Sequence, residues 1–403
     1  MSGTSPVPLP FVHFATGSQL RRIGSEENCS ARQRLIVRDR CSRPLPASYA
    51  RQTMKTCKSV RAMGTVLAVL MAACGAAPGA GSGASSAPTA SPTQSAVTQP
   101  SASPSAAPAT AYLDDRSSAE RVIRSYYDAI GRRQYLRAYG YWEPSTTLPT
   151  FEAFAKGFEA TTSAQVELGT VGGSPGAGQL YWSVAAVVLS MTTTGTQAFV
   201  GCYTVHLARP EIQTAPPFKP IAIQAALLQS VATPAAARSA LPSACGNANA
   251  TPLPWGAPGT GIDAARYVDD RSAGEEQIRS YYNAVNRREY SRAYSYWEAG
   301  APQLTPFTTF ASGYANTKSV TLATKPGTIG AGAGQTYYTV PAVVTASNTD
   351  GSTTVSAWCY TLHLGSPSAQ ATPPFQPLGI QSAKTAQAAS GANPSDLLNS
   401  ACP

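Results

Sequence analysis

Two of the three histidines in this 403-residue chain stand in one repeated run. "GCYTVHL" spans Gly201 to Leu207, and "WCYTLHL" spans Trp358 to Leu364. A cysteine and a histidine four residues apart could ligate a metal, or could act as nucleophile and base. The surroundings favour neither. No second histidine or suitably spaced carboxylate accompanies Cys202 and His206, or Cys359 and His363, so the ligand set of a zinc site is incomplete. No nucleophile elbow, phosphate loop or HExxH motif occurs anywhere. No metal and no other cofactor is expected, and the repeat reads as architecture.

Charge narrows the function classes further. The net charge of +9 suggests an anionic partner until its position is considered. Residues 1–61 hold eleven Lys and Arg against three Asp and Glu, whereas the rest of the chain holds nineteen against eighteen. The part long enough to fold is nearly neutral, so no nucleic-acid footprint remains.

The basic leader contains "MKTCKSVRAMGTVLAVLMAAC". Lys55, Lys58 and Arg61 precede a short apolar core from Gly64 to Ala73, too short for the ~20 residues of a spanning helix. Residues 54–73 therefore read as an export signal. Its end, "LMAAC", resembles the lipobox of bacterial lipoproteins, which implies that Cys74 becomes a lipidated N-terminus on the extracytoplasmic side. Met71 departs from the commoner leucine of that motif. Residues 1–53 read as a mis-assigned extension, with Met54 the initiator. Residues 74–111, rich in Ser, Ala and Pro, carry too little apolar surface to fold and read as a disordered tether.

The rest of the chain is a duplication. "YLDDRSSAERVIRSYYDAIGRRQYLRAYGYWE" from Tyr112 is answered by "YVDDRSAGEEQIRSYYNAVNRREYSRAYSYWE" from Tyr267, 155 residues on. "PPFKPIAIQ" from Pro216 is answered by "PPFQPLGIQ" from Pro373. Domains of 112–246 and 267–403, with a linker of 247–266, follow from this. Each copy opens with helical spacing, and Ser117 with Glu120, like Ser272 with Glu275, reads as a capping box. Gly131 and Asn286 are placed for a left-handed stop. Arg132-Arg133 and Arg287-Arg288 read as a solvated start of the next helix, and Asp128 as solvent-exposed. The pattern then turns to strands: one near 164–170 and 320–324, a long pair joined at Thr194-Gly195 and Asp350-Gly351, and a last one near 220–228 and 377–382. Helices followed by an antiparallel run predict an α+β class, with the helices packed on one face of a curved sheet.

"IRSYYDAIGRRQYLRAYGYW", "IRSYYNAVNRREYSRAYSYW" and this order of elements resemble the nuclear transport factor 2-like superfamily, which includes ketosteroid isomerase and SnoaL-type cyclases. The resemblance implies a cone in each copy with a cavity between helices and sheet. Its lining candidates are Tyr126, Tyr127, Tyr139, Trp142, Tyr181 and Trp182, then Tyr281, Tyr282, Tyr294, Trp297, Tyr337 and Tyr338. Strand alternation gives Tyr203, Val205 and Leu207 to that inner face, and Cys202, Thr204 and His206 to the other. Outside the leader, four cysteines allow three pairings, but Cys202 to Cys245 and Cys359 to Cys402 both span 43 residues. Export makes them one disulfide per copy.

A non-catalytic binding or structural module is expected. Its partner would be an envelope polymer, another protein or a small apolar ligand, besides the membrane reached through Cys74. An isomerase, cyclase or dehydratase using the aromatic cavity is the alternative. Pairing of the copies as an internal pseudo-dimer through their sheets is a further expectation.

Overall fold

The computed structural model describes residues 112–246, 262–387 and 393–402. The expected extension, signal and tether, with Cys74, lie outside the described residues, as does most of the expected linker.

In the first half, α1 (Ala119–Gly131), α2 (Tyr135–Tyr139) and α3 (Phe151–Lys156) precede β1 (Thr161–Gly176), β2 (Gln179–Thr192), β3 (Gly195–Ala208) and β4 (Ala222–Val231). A last helix, α4 (Pro234–Ala240), follows. The second half repeats this with α5 (Gly274–Asn286), α6 (Tyr290–Tyr294), α7 (Phe307–Ser312), β5 (Thr317–Thr324), β6 (Thr328–Gly332), β7 (Gln335–Asn348), β8 (Thr353–Gly365), β9 (Gly379–Gln387) and α8 (Pro394–Ser400). Each half is mixed helix and antiparallel sheet, with strand order β1-β2-β3-β4 and β5-β7-β8-β9, and β6 beside β7. The long β1 becomes two strands in the second half. Its register already slips between Leu168 and Val171, and at the corresponding place Pro326 has no amide to give to a ladder.

Helix ends differ from their sequence reading by one or two residues. Ser118, not Ser117, caps α1 by accepting from the Arg121 amide, and α5 begins after Ala273, which has no side-chain oxygen to offer. The left-handed residues are Arg133 and Arg288, two places beyond Gly131 and Asn286. Val122, Ile123, Tyr126, Tyr127 and Ile130 of α1 are buried against the inner face of the sheet, where Val184, Tyr203, Val205 and Leu207 meet them. The second half builds the same core from Ile278, Tyr281, Tyr282 and Val285 against Val340, Tyr360 and Leu362. On the outer face, α4 covers Val187, Leu189, Ala198 and Val200 with a fully buried Ala237. Within the repeated run, β3 and β4 approach so closely at Gly201 that a Cβ there would lie 1.9 Å from the Leu227 carbonyl oxygen. Trp358 occupies that place in the second half, where it packs against the core.

The chain leaving α2 adds to the β4 edge. Glu143 N donates to Ile223 O and Ile223 N to Tyr141 O, both at 2.8 Å; Glu298, Ile380 and Tyr296 repeat this. The two halves meet along their opening segments. Arg116 N donates to Asp269 O and Arg271 N to Asp114 O, both at 2.7 Å. Asp114 N donates to Ser272 Oγ and Asp269 N to Ser117 Oγ, at 2.8 and 2.9 Å. Exchanging the two copies maps this set onto itself, and Asp115 lies opposite Asp270 at its centre. Ser117 and Ser272, expected as helix caps, serve this seam instead.

Candidate functional site

Three groups of side chains could do chemistry: the inner aromatics, the outer histidines and the buried arginines.

The inner aromatics are closed on one another. Tyr127 and Tyr203 hydroxyls share a hydrogen bond of 2.5 Å, as do Tyr282 and Tyr360. Tyr126 meets Trp142 edge-on with ring centres 5.9 Å apart, and Tyr281 meets Trp297 at 6.2 Å. Tyr281 also hydrogen-bonds Tyr314. Tyr139 and Tyr294 stand further out, where they donate to Pro149 O and Thr305 O and pack on the phenylalanines of α3 and α7. Burial pushes the hydroxyls of Tyr126, Tyr127, Tyr282 and Tyr360 well above the usual tyrosine range. Neighbouring tyrosines add to the effect at Tyr127 and Tyr282. Such groups hold their protons, so they suit packing and neutral hydrogen bonding rather than proton abstraction.

Tyr181 and Tyr337 are not among them. Alternation along β2 puts Tyr181 on the outer face with its cross-strand partner His206, and the rings stack at 4.7 Å. Tyr337 stacks on His363 at 4.9 Å. His206 Nδ1 lies 3.0 Å from Glu143 Oε1, and Nε2 lies 2.7 Å from Gln179 Oε1. His363 makes the same two contacts, at 2.7 Å to Glu298 and 2.5 Å to Gln335. The pairing of the post-helix segment with β4 and β9 carries each glutamate to this place. With both ring nitrogens engaged, neither is open to a metal or a substrate. Among the described residues, no group of three or more His, Cys, Asp or Glu side chains is arranged to hold a metal ion. The glutamates and glutamines went unnoticed in the sequence although both repeat, at the end of "YWE" and the start of "QLYW" and "QTYY".

The arginines were missed altogether. Arg137 and Arg292 side chains are fully buried. Arg137 donates to Leu113 O and Asp128 Oδ2, both at 2.5 Å, and lies over the Tyr112 ring. Arg292 donates to Glu289 Oε2 at 2.6 Å, Asn283 Oδ1 at 2.8 Å and Val268 O at 2.5 Å, over the Tyr267 ring. Asp128 is thus mostly buried and doubly paired, with Arg132 as well as Arg137, rather than solvated. Arg287 pairs with Glu289 at 2.6 Å.

Disulfides join Cys202 to Cys245 and Cys359 to Cys402. Each ties the chain after the last helix to the outer face of β3 or β8. A cleft of about 380 Å³ opens between α8 and that face, lined by Lys325, Thr328, Thr339, Leu398 and Asn399, with Lys325 Nζ donating to Asn399 Oδ1 at 2.8 Å. Among the described residues, no helix is long and apolar enough to cross a membrane.

No family model matches the chain, and no curated protein does. A solved structure described as an Ntf2-like protein involved in plasmid conjugation is similar to it at 10% identity, with a TM-score of 0.16, over 64% of this chain and 95% of that one.

Proposed function

We propose that the chain is a non-catalytic binding or structural module with two nuclear transport factor 2-like halves, 112–246 and 267–403, held outside the cytoplasm by a lipid on Cys74. The observation that carries the non-catalytic reading is that the buried hydroxyls of both interiors are spent on one another, Tyr127 with Tyr203 and Tyr282 with Tyr360. An isomerase or dehydratase would need a titratable acid and base aimed into that space. Among the described residues, His206 and His363 pair with Glu143 and Glu298 on the outer face, and the buried carboxylates that accept from Tyr141 and Tyr296, Asp114 and Asp269, belong to the seam between the halves.

Helices ahead of an antiparallel run in each half support the fold assignment, and the disulfides are compatible with an oxidising compartment. The reciprocal seam supports a pseudo-dimer within one chain, joined through the opening segments. An envelope polymer, a protein or a small apolar ligand is the partner class.

Two measurements test this reading. Mass spectrometry of the mature N-terminus, with and without the lipoprotein signal peptidase inhibitor globomycin, should find a diacylglyceryl group on Cys74; an unmodified N-terminus elsewhere removes the anchor. Isomerase and dehydratase substrates should give no turnover. Turnover abolished by Tyr127→Phe or Tyr282→Phe would establish the enzyme alternative.

A further inference from the structure

The seam between the halves repeats itself faithfully except at one place. Asp115 and Asp270 face each other across it. Each folds back identically: Asp115 Oδ1 accepts from Ser117 N at 2.8 Å and Asp270 Oδ1 from Ser272 N at 2.9 Å. Their amides donate to Ser125 Oγ and Ser280 Oγ, from the helix that follows. The departure comes one helical turn on. Arg121 pairs with the other oxygen of Asp115, but the equivalent residue of the second half is Glu276. Asp270 therefore has a carboxylate at the position from which a guanidinium pairs with its twin.

The cations of the second half nearest the seam, and the arginine of the first half that crosses it, are each held elsewhere. Arg279 leans on Glu276 at 3.6 Å. Arg116 stays with Asp114 and Arg271 with Asp269, at 3.9 and 3.7 Å, and each also caps backbone carbonyls. Asp114 and Asp269 in turn accept from Tyr141 and Tyr296 hydroxyls. Burial, then Asp115, and to a smaller degree Glu276 push the Asp270 carboxyl up from its usual value to about 7, against the lowering effect of its Ser272 hydrogen bonds.

We propose that this seam is a proton-dependent clasp, drawn tight when Asp270 is protonated against Asp115 and loosened when both carboxyls are charged. The sign follows from linkage. A carboxyl whose folded value is raised binds its proton more tightly in the native chain than in the unfolded one. Its contribution is complete below the ordinary aspartate value of 3.8, declines as pH rises, and is lost by about pH 7. This rests on the pairing of the halves proposed above.

The test uses the full chain at pH 5 and pH 8, with thermal melting and hydrogen exchange read at the Arg116 and Arg271 amides, which cross the seam. Wild type should melt several degrees lower at pH 8, and protection of both amides should fall at least tenfold. Asp270→Asn should remove most of the difference, and Glu276→Arg, which copies the first half, should reduce it. An unchanged pH difference in Asp270→Asn overturns the proposal, and so does an unchanged one in Glu276→Arg if the former fails to fold. Equal, strong protection at both pH values overturns the clasp and leaves the pairing intact. Exposed amides at both pH values overturn the pairing as well.

Discussion

The carboxylate of Asp128 holds the buried guanidinium of Arg137 at 2.5 Å, and the second half reaches the same neutrality by another route. There Asn283 replaces Asp128, and Glu289, standing where the first half has Gln134, takes Arg292 at 2.6 Å. One carboxylate has moved between the end of one helix and the start of the next while the arginine stayed. Breaking a buried pair from one side leaves an uncompensated charge and costs about 3–5 kcal/mol. Asp128→Asn should therefore destabilise the first half by that order. Adding Gln134→Glu should restore most of the loss by copying the second half. Urea unfolding of wild type, single and double variants reads both, and a double variant no better than the single would show that the two sites do not exchange.

The Tyr127–Tyr203 hydrogen bond is buried, so the cost of losing it depends on what remains. Removing one hydroxyl strands the other at about 1–3 kcal/mol, whereas removing both leaves two apolar rings and little unmet demand. Tyr127→Phe alone should be more destabilising than Tyr127→Phe with Tyr203→Phe. A double-mutant cycle by chemical denaturation gives the coupling directly. Additive losses would mean that the hydroxyls are hydrated rather than paired.

Local pattern was enough to place most elements. Periodicity located α1, α5 and the paired long strands, because burial on one face repeats at 3.6 or 2 residues. Alternation also put His206 opposite Tyr203 and Val205. The same alternation puts Tyr181 with His206, yet its neighbour Trp182 drew both into the aromatic set, and the structure separates them. Arg137 and Arg292 were illegible for a different reason. An arginine's burial is decided by how its partners are brought round it: Asp128 and Asn283 lie nine residues back on the preceding helix, and the Leu113 and Val268 carbonyls 24 residues back, spacings with no helical or strand period to reveal them. The seam was hidden likewise, since its bonds join residues more than 150 apart.

Alkaline titration should find the interior tyrosines silent. Their folded values are raised by burial, so their contribution to stability is present below the ordinary tyrosine value near 10 and is lost as pH climbs through the raised values. Absorbance near 295 nm should therefore rise in two stages, exposed rings first and the buried set only with cooperative unfolding. The loss of circular dichroism should coincide with the second stage. Smooth ionisation of every tyrosine before any unfolding would mean that water reaches the interior.

The two disulfides close loops of equal length, so chain entropy assigns each about 4 kcal/mol, but the helices they secure are not equally docked. On the first half, α4 buries Ala237 completely among Val187, Leu189 and Val200. On the second, α8 buries no residue fully, and a cleft separates part of it from the sheet. Apolar contact should keep α4 in place without its crosslink, whereas α8 has little else to hold it. Replacing Cys359 and Cys402 by alanine should open the 394–400 segment to proteolysis under native conditions. Replacing Cys202 and Cys245 should lower global stability while leaving 234–240 protected. Limited proteolysis with mass mapping distinguishes the two, and equal cleavage of both helices would mean that the crosslinks, not the packing, hold them both.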